Sequence, residues 1–152
     1  MLGIDAQVLE DMLYYGPIRL VGFSNTPTLY RMILPERGDV YVKCGADILI
    51  NGLKTDLSAE AQCPSCGNIT RFHIDNRQIE DLAPKDPMLH VIEIEEGPGR
   101  LSIKCESTHI FDKKDCLTNW LSTYTGKPGL VTSLPGYMDS LNKRLPTKVS
   151  PA

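Results

Sequence analysis

Three side chains in two segments of this 152-residue chain could together carry out metal chemistry. Cys44 and Asp47 lie three residues apart after the apolar run Val-Tyr-Val-Lys, and Cys105 ends the run Leu-Ser-Ile-Lys-Cys. Two thiolates bind soft cations such as Hg(II) or Cu(I) better than hard ones, and a carboxylate beside them can accept and donate a proton. These residues predict a soft-metal site with its own proton carrier and no required cofactor.

Each of these residues is expected at the end of a strand or the start of a helix. The alternation of residues 40–44 predicts a strand, and Asp47 caps or opens a short apolar helix behind it. The free N–H groups at a helix N-terminus stabilise a thiolate, so we expect a lowered pKa for Cys44. Cys105 follows the second strand of a predicted hairpin.

The remaining pattern predicts an α+β domain with a mixed, mainly antiparallel sheet and short flanking helices. An amphipathic piece at 8–13 comes first, and a helix from Asp112 to near Gly126 and one from Ser133 to Leu145 come last. The strands are expected at 18–23, 29–34, 57–61 and 69–74, with a hairpin of 90–95 and 101–104. We expect a single domain over 1–145, followed by a flexible C-terminal tail over 146–152.

Charge and composition exclude several functional classes. The net charge of −3 without a basic run gives no reason to expect nucleic-acid binding. No apolar stretch approaches the roughly 20 residues of a membrane helix, and the N-terminus lacks a signal pattern, so a cytoplasmic protein without a membrane partner is expected. The odd number of cysteines, five, favours ligands or thiol chemistry over a disulfide framework.

The order of these features resembles the catalytic domain of organomercurial (alkylmercury) lyases over about residues 15–145. The resemblance is carried by Cys44-Gly-Ala-Asp47 and the apolar helix behind it, Cys63, Cys105, Ile110-Phe111, Trp120, Gly22-Phe23 and the final run Leu141-Asn142-Lys143-Arg144-Leu145. About a dozen residues precede the first matching segment. The resemblance therefore implies the catalytic domain without the family's additional N-terminal helical domain, and a more open active site.

The resemblance also implies an activity and its residues. Cys44 and Cys105 would be the catalytic thiols and Asp47 the catalytic acid in protonolysis of a carbon–mercury bond, while Cys63 would be structural. The products would be a hydrocarbon and Hg(II) held on the two sulfurs, which cytosolic thiols and a mercuric reductase would then remove. This hypothesis requires the two sulfurs to lie within roughly 5 Å of each other, about twice a metal–sulfur bond.

Two other functions remain open from the residues alone. Cys63-Pro-Ser-Cys66-Gly has the form of a zinc knuckle, and Cys105 with His109 could complete a zinc-ribbon-like structural or interaction module. Alternatively, the thiols could bind or transport mercury, copper or organometals without catalysis, with Asp47 only capping its helix.

The other chemically capable side chains are interpreted as structural. Cys116 and Trp120 share a predicted helix and are assigned to packing. His73 and His90 lie in strand patterns and are interpreted as surface or hydrogen-bonded histidines without a catalytic role.

Overall fold

The structure is a computed structural model that describes residues 20–95 and 101–145. The predicted piece at 8–13 and the tail at 146–152 lie outside the described residues. The strands are β1 (Phe23–Ser24), β2 (Tyr30–Leu34), β3 (Gly38–Val42), β4 (Leu57–Gln62), β5 (Ile69–Asp75), β6 (Gln78–Ala83), β7 (Met88–Val91), β8 (Glu93–Glu95), β9 (Leu101–Ile103), β10 (His109–Phe111) and β11 (Leu130–Ser133). The helices are α1 (Gly45–Gly52), α2 (Lys114–Thr123) and α3 (Leu134–Arg144), with a single 3₁₀ turn at Cys105–Ser107.

The strands form three antiparallel sheets, which confirms the predicted α+β class. The largest has six strands in the order β1-β3-β2-β4-β5-β6, the second has the order β10-β7-β11, and β8 pairs with β9. Alternation along β5 places Thr70, Phe72 and Ile74 in the interior and their neighbours outside, as expected for a sheet with one covered face. None of the helices in the described ranges has the length and apolarity to cross a membrane.

Helix α1 lies in the centre of the core, because seven of its eight residues are buried. Two glycines allow this close packing. A methyl group on Gly45 would collide with Ile110 of β10, and one on Gly52 would collide with Ile74 of β5. The helix is thus held at both ends between the large sheet and the three-stranded sheet, which fixes the side chains of its first turn.

The predicted elements differ from the observed ones where turns interrupt the apolar pattern. Of the strand expected at 18–23, only positions 20–23 lie among the described residues, and of these only Phe23 belongs to a strand, β1, because Gly22 directly before it adopts a φ of +74° that interrupts an extended run. The expected hairpin is reduced to β8 and β9, since His90 belongs to β7 and pairs with His109 of β10. The strands β6, β10 and β11 have no counterpart among the predicted strands, and β7 overlaps the first arm of the expected hairpin only at His90 and Val91.

Of the two N-cap residues predicted for the later helices, one is wrong and the other is confirmed. Asp112 does not cap α2, whose N-cap residue is Lys113. Ser133 does cap α3, because its Oγ accepts a hydrogen bond of 3.0 Å from the backbone N–H of Gly136. Pro135 lies in the first turn of α3, where its missing N–H costs nothing.

Candidate active site

Cys44 lies at the junction between β3 and α1. It is the N-cap residue of α1, with extended backbone angles of −154° and 169°, and its side chain makes no capping hydrogen bond. Asp47 therefore belongs to the first turn of the helix, so it opens the helix, as the prediction allowed, but it is not the N-cap residue. Both side chains point into the protein, with Cys44 fully buried and Asp47 6% exposed.

Cys105 opens the 3₁₀ turn that follows β9 and meets Cys44 from the opposite side. The two Sγ atoms are 2.7 Å apart. Oδ2 of Asp47 lies 3.6 Å from Sγ of Cys44 and 3.4 Å from Sγ of Cys105. The structure thus brings all three predicted site residues together, and the sulfurs lie well inside the roughly 5 Å that a shared ion requires. Cys105 is half-buried, so it forms the solvent-facing side of the trio.

Burial shifts the pKa values of Asp47 and Cys44. It raises the pKa of Asp47, and hydrogen bonds from Cys105 and Cys44 only partly offset that effect. The pKa of Cys44 is also raised, first by its hydrogen bond to Cys105, then by burial and by the charge of Asp47. The prediction that the helix N-terminus lowers the pKa of Cys44 is therefore wrong. The site favours proton retention until a cation displaces a thiol proton.

A backbone segment presses directly on the Asp47 carboxyl group. Any side chain on Gly22 would collide with the Asp47 carboxylate, so only glycine fits there. The segment is held by Asn51 in the last turn of α1, whose Oδ1 accepts from Val21 N at 2.8 Å and whose Nδ2 donates to Val21 O at 2.9 Å. Asn51 is fully buried and was not singled out from sequence, because an Asn in an apolar helix has no distinctive spacing. These contacts fix Asp47 against the two sulfurs.

Buried Tyr30 and half-buried His109 form a hydrogen-bonded pair that holds β10, the strand that follows the 3₁₀ turn. The hydroxyl group of Tyr30 lies 2.8 Å from Nδ1 of His109 and accepts a hydrogen bond of 3.3 Å from the backbone N–H of Ile110. Burial raises the pKa of Tyr30 and lowers the pKa of His109, so both side chains remain neutral near pH 7. His109 thereby links β10 to β2 through Tyr30.

His90 secures the turn that carries Cys105. Its Nε2 accepts a hydrogen bond of 3.0 Å from Gly129 N, which leaves the ring proton on Nδ1 to donate to Ser107 O at 2.7 Å. The ring is fully buried, with its centroid 5.1 Å from that of Trp120. His90 is thus a satisfied structural histidine, in agreement with its interpretation from sequence.

The other cysteines assemble into a separate cluster. Cys63, Cys66, Asp112 and Cys116 each present one ligand atom, and these four atoms lie within 4.8 Å of one another. The zinc-ribbon hypothesis is therefore wrong about two of its four ligands, because Cys105 pairs with Cys44. Cys116 is buried, but its interpretation as an idle packed thiol missed these neighbours. The spacing of Cys63 and Cys66 was recognised from sequence, but the four-residue spacing from Asp112 to Cys116 was not interpreted as a second pair of ligands.

A known protein family matches this chain over most of its length. A family model described as alkylmercury lyase (MerB) matches residues 23–142, which include Cys44, Asp47 and Cys105. The chain belongs to the alkylmercury lyase family. This agrees with the resemblance found in the sequence.

A solved structure shows the same fold as this family member. It is titled "Crystal structure of the mercury-bound form of MerB2" and matches with a TM-score of 0.65 and 17% sequence identity. The match covers 84% of this chain and 63% of that chain, so the chain spans less than two thirds of the length of this relative. At this identity the likeness establishes the fold alone. No curated protein sequence matches the chain.

Proposed function

We propose that this alkylmercury lyase family member cleaves carbon–mercury bonds by protonolysis. The observation that carries the proposal is the position of Asp47, whose Oδ2 lies within 3.6 Å of both Sγ atoms of Cys44 and Cys105. One carboxylate oxygen can therefore exchange a proton with either thiol while both sulfurs face the same space. The substrate class is an organomercurial cation, R–Hg⁺.

The proposed reaction balances without a redox step. R–Hg⁺ replaces the proton of one thiol, which is released to water, and the second thiol passes its proton to the ionised carboxylate of Asp47 as its sulfur adds to mercury. Added sulfur donation weakens the carbon–mercury bond. Asp47 then returns the proton to carbon, so that R–H leaves and Hg(II) remains on Cys44 and Cys105. Two small thiols release Hg(II) as a bis-thiolate and restore both protein thiols, and we propose a mercuric reductase as the eventual recipient.

The burial of Asp47 favours catalysis over simple metal binding. A non-catalytic carrier of mercury, copper or organometals needs the two sulfurs, but it needs Asp47 only as a helix cap. The N-cap residue of α1 is Cys44, and Asp47 lies in the first turn, where the backbone N–H of Cys44 stabilises its carboxylate. Burial outweighs that contact and raises the pKa of Asp47. Burying a carboxyl group costs free energy, so a buried aspartate is expected only where it has a role that offsets this cost. Proton transfer between the thiols and carbon supplies that role.

The test uses metal-free, reduced protein incubated with methylmercury and excess small thiol. Methane in the headspace and protein-bound Hg(II) are measured in the same sample, beside a protein-free control. The lyase produces methane over repeated turnovers. Stoichiometric mercury binding with methane at the protein-free level would instead identify a thiol-based carrier.

The variant Asp47→Asn separates proton delivery from metal binding. The amide cannot carry the proton but has nearly the same shape, so methane formation is expected to fall by about 10²–10⁴-fold while mercury binding persists. Asp86→Asn, at an exposed position, removes the same charge away from the site and serves as the control. Equal methane formation by Asp47→Asn and the wild type would overturn the assignment of Asp47.

A further inference from the structure

We infer that Cys63, Cys66, Asp112 and Cys116 form a structural zinc site that is separate from the lyase site. Their four ligand atoms lie within 4.8 Å of one another, and Sγ of Cys66 is 3.3 Å from Oδ1 of Asp112. Ligands of a tetrahedral zinc with bonds of about 2.0–2.3 Å lie roughly 3.3–3.8 Å apart. Small side-chain rotations therefore suffice to place all four atoms around one ion.

The backbone of the β4–β5 connection holds the first two sulfurs in a knuckle. Gly67 N donates to Cys63 O at 2.9 Å, and Cys63 N donates to Asn68 O at 2.8 Å, which closes the turn around Cys66. Gly67 has a φ of +82°, a conformation that favours glycine and lets the chain reverse directly after Cys66. A Cys-x-x-Cys turn of this kind directs two thiolates to one side, as structural zinc sites require.

The other two ligands come from the start of α2 on the opposite side of the cluster. Asp112 follows β10 directly, just before the N-cap residue Lys113, and Cys116 lies four residues later in the first turn of α2. The amide of Asn68 donates to Oδ2 of Asp112 at 3.0 Å, which orients the carboxylate and directs its Oδ1 toward the sulfurs. Such an outer hydrogen bond to a ligating carboxylate is a regular feature of metal sites.

Donor types and burial favour zinc over the alternatives. Three soft thiolates and one harder carboxylate oxygen, all of them donors that zinc accepts, make a complete set of four for Zn²⁺ with no position left for substrate. Cys63, Asp112 and Cys116 are at most 5% exposed, whereas Cys66 is exposed and provides the entry path. No Lys or Arg within the described ranges forms an ion pair with Asp112. A bound cation would supply the missing positive charge.

The position of the cluster indicates what the zinc would stabilise. It joins the tip of the β4–β5 hairpin to the residues between β10 and α2, and that region packs with Phe111, Leu117 and Trp120 in a small apolar cluster. The same stretch of chain begins with the 3₁₀ turn of Cys105. The zinc would therefore fasten the segment that presents the second lyase thiol, while taking no part in carbon–mercury cleavage.

Zinc stoichiometry and affinity test the inference without any organomercurial, so the outcome is independent of the proposed lyase activity. Reduced, metal-free full-length protein is titrated with Zn²⁺ against a chromophoric chelator. We expect one zinc per chain in the wild type and in Cys105→Ser. Cys66→Ser is expected to bind zinc at least about 10-fold more weakly. Because Cys66 is exposed, this variant should keep its fold, which far-UV circular dichroism verifies.

Substitution by Co²⁺ identifies the donors directly. The wild type should give tetrahedral ligand-field bands and a thiolate-to-cobalt charge-transfer band, and Cys66→Ser should lose about a third of that charge-transfer intensity, since one of three thiolates is removed. Asp112→Asn should keep the intensity but shift the ligand-field bands. The inference is overturned if the wild type binds no zinc, or if Cys105→Ser abolishes zinc binding while Cys66→Ser retains it.

Discussion

The protein contains two clusters of cysteine and aspartate that differ in how many donors each provides. The cluster of Cys44, Asp47 and Cys105 offers two sulfurs around one carboxylate, whereas the other offers three sulfurs and a carboxylate. An ion held by two sulfurs keeps room for a bound organic group and for its removal, whereas four donors close the coordination sphere. Donor count therefore separates a site suited to turnover from one suited to permanent binding.

The two carboxylates show the same contrast in their pKa values. Burial raises the pKa of Asp47 beyond what its two thiol contacts offset. Burial also acts to raise the pKa of Asp112, but hydrogen bonds from Asn68 and from the surrounding thiols outweigh it, and the pKa is lowered. Asp47 is thus placed to hold and release a proton, and Asp112 to remain charged.

The largest expected effect comes from removing one thiol of the smaller cluster. In Cys105→Ser the hydroxyl is too hard a ligand to weaken the carbon–mercury bond, so methane formation should fall by at least about 10³-fold. Zinc content measured on the same preparation should remain at one per chain. Methane formation within about 10-fold of the wild type would show that Cys105 is dispensable and would erase the functional distinction between the clusters.

Metal removal should act on the other cluster and on stability. At free zinc about 1,000-fold above Kd, binding to the native state adds about 4 kcal/mol to the free energy of unfolding. For a domain of this size that raises Tm by about 8–16 °C over the metal-free protein. Calorimetric scans with zinc and with excess chelator measure the shift. Cys66→Ser, which is expected to bind zinc at least about 10-fold more weakly, should gain at most about 2.7 kcal/mol at the same free zinc and so show a smaller rise in Tm. An equal Tm for zinc-loaded and metal-free wild type would contradict the prediction.

The contact between Gly22 and Asp47 can be tested with a matched pair of glycines. Gly22 and Gly38 both have positive φ, +74° and +88°, so alanine strains the backbone at either position. Only at Gly22 does the new methyl group collide with the Asp47 carboxylate, since Gly38 has no neighbour within 4 Å. Gly22→Ala should lower methane formation by about 10–10²-fold by displacing Asp47. Gly38→Ala should leave turnover unchanged, and equal losses in both would assign the effect to backbone strain alone.

The smaller cluster could be anticipated from sequence because most of it is local. Cys44 and Asp47 lie three residues apart at a strand-to-helix junction, a feature that short-range pattern identifies. Cys105 was singled out because it also ends a strand-like run, and the family resemblance then assigned it beside Cys44; its approach to Cys44 depends on packing across 61 residues of chain. The local reasoning failed on the pKa of Cys44, because the largest effect on it comes from Cys105 in the distant segment.

The larger cluster was missed because its halves meet only through tertiary packing. The Cys63–Cys66 spacing was recognised, but its partners Asp112 and Cys116 come from the far side of the chain. The sequence instead suggested Asp112 as a helix cap and Cys116 as a packed thiol.

The prediction of short strands failed for a related reason. In β6 only two of six residues are even partly buried, and Asp81 has a φ of +55°, so no alternation marks the strand.

The smallest expected effect concerns the pH dependence of stability in Asp47→Asn. Because the pKa of Asp47 is raised in the folded state, the native protein holds this proton more tightly than the unfolded chain does. Its contribution to stability is fully present below the ordinary pKa of 3.8 and is lost as the pH rises through the folded pKa. Asparagine does not ionise, so its burial does not lower the stability as the pH rises. Relative to the wild type, Asp47→Asn should therefore gain unfolding free energy as the pH rises above the ordinary pKa of 3.8, as measured by urea denaturation over a series of pH values. If exposed Asp86→Asn gained as much over the same interval, the gain would reflect net charge and not the burial of Asp47.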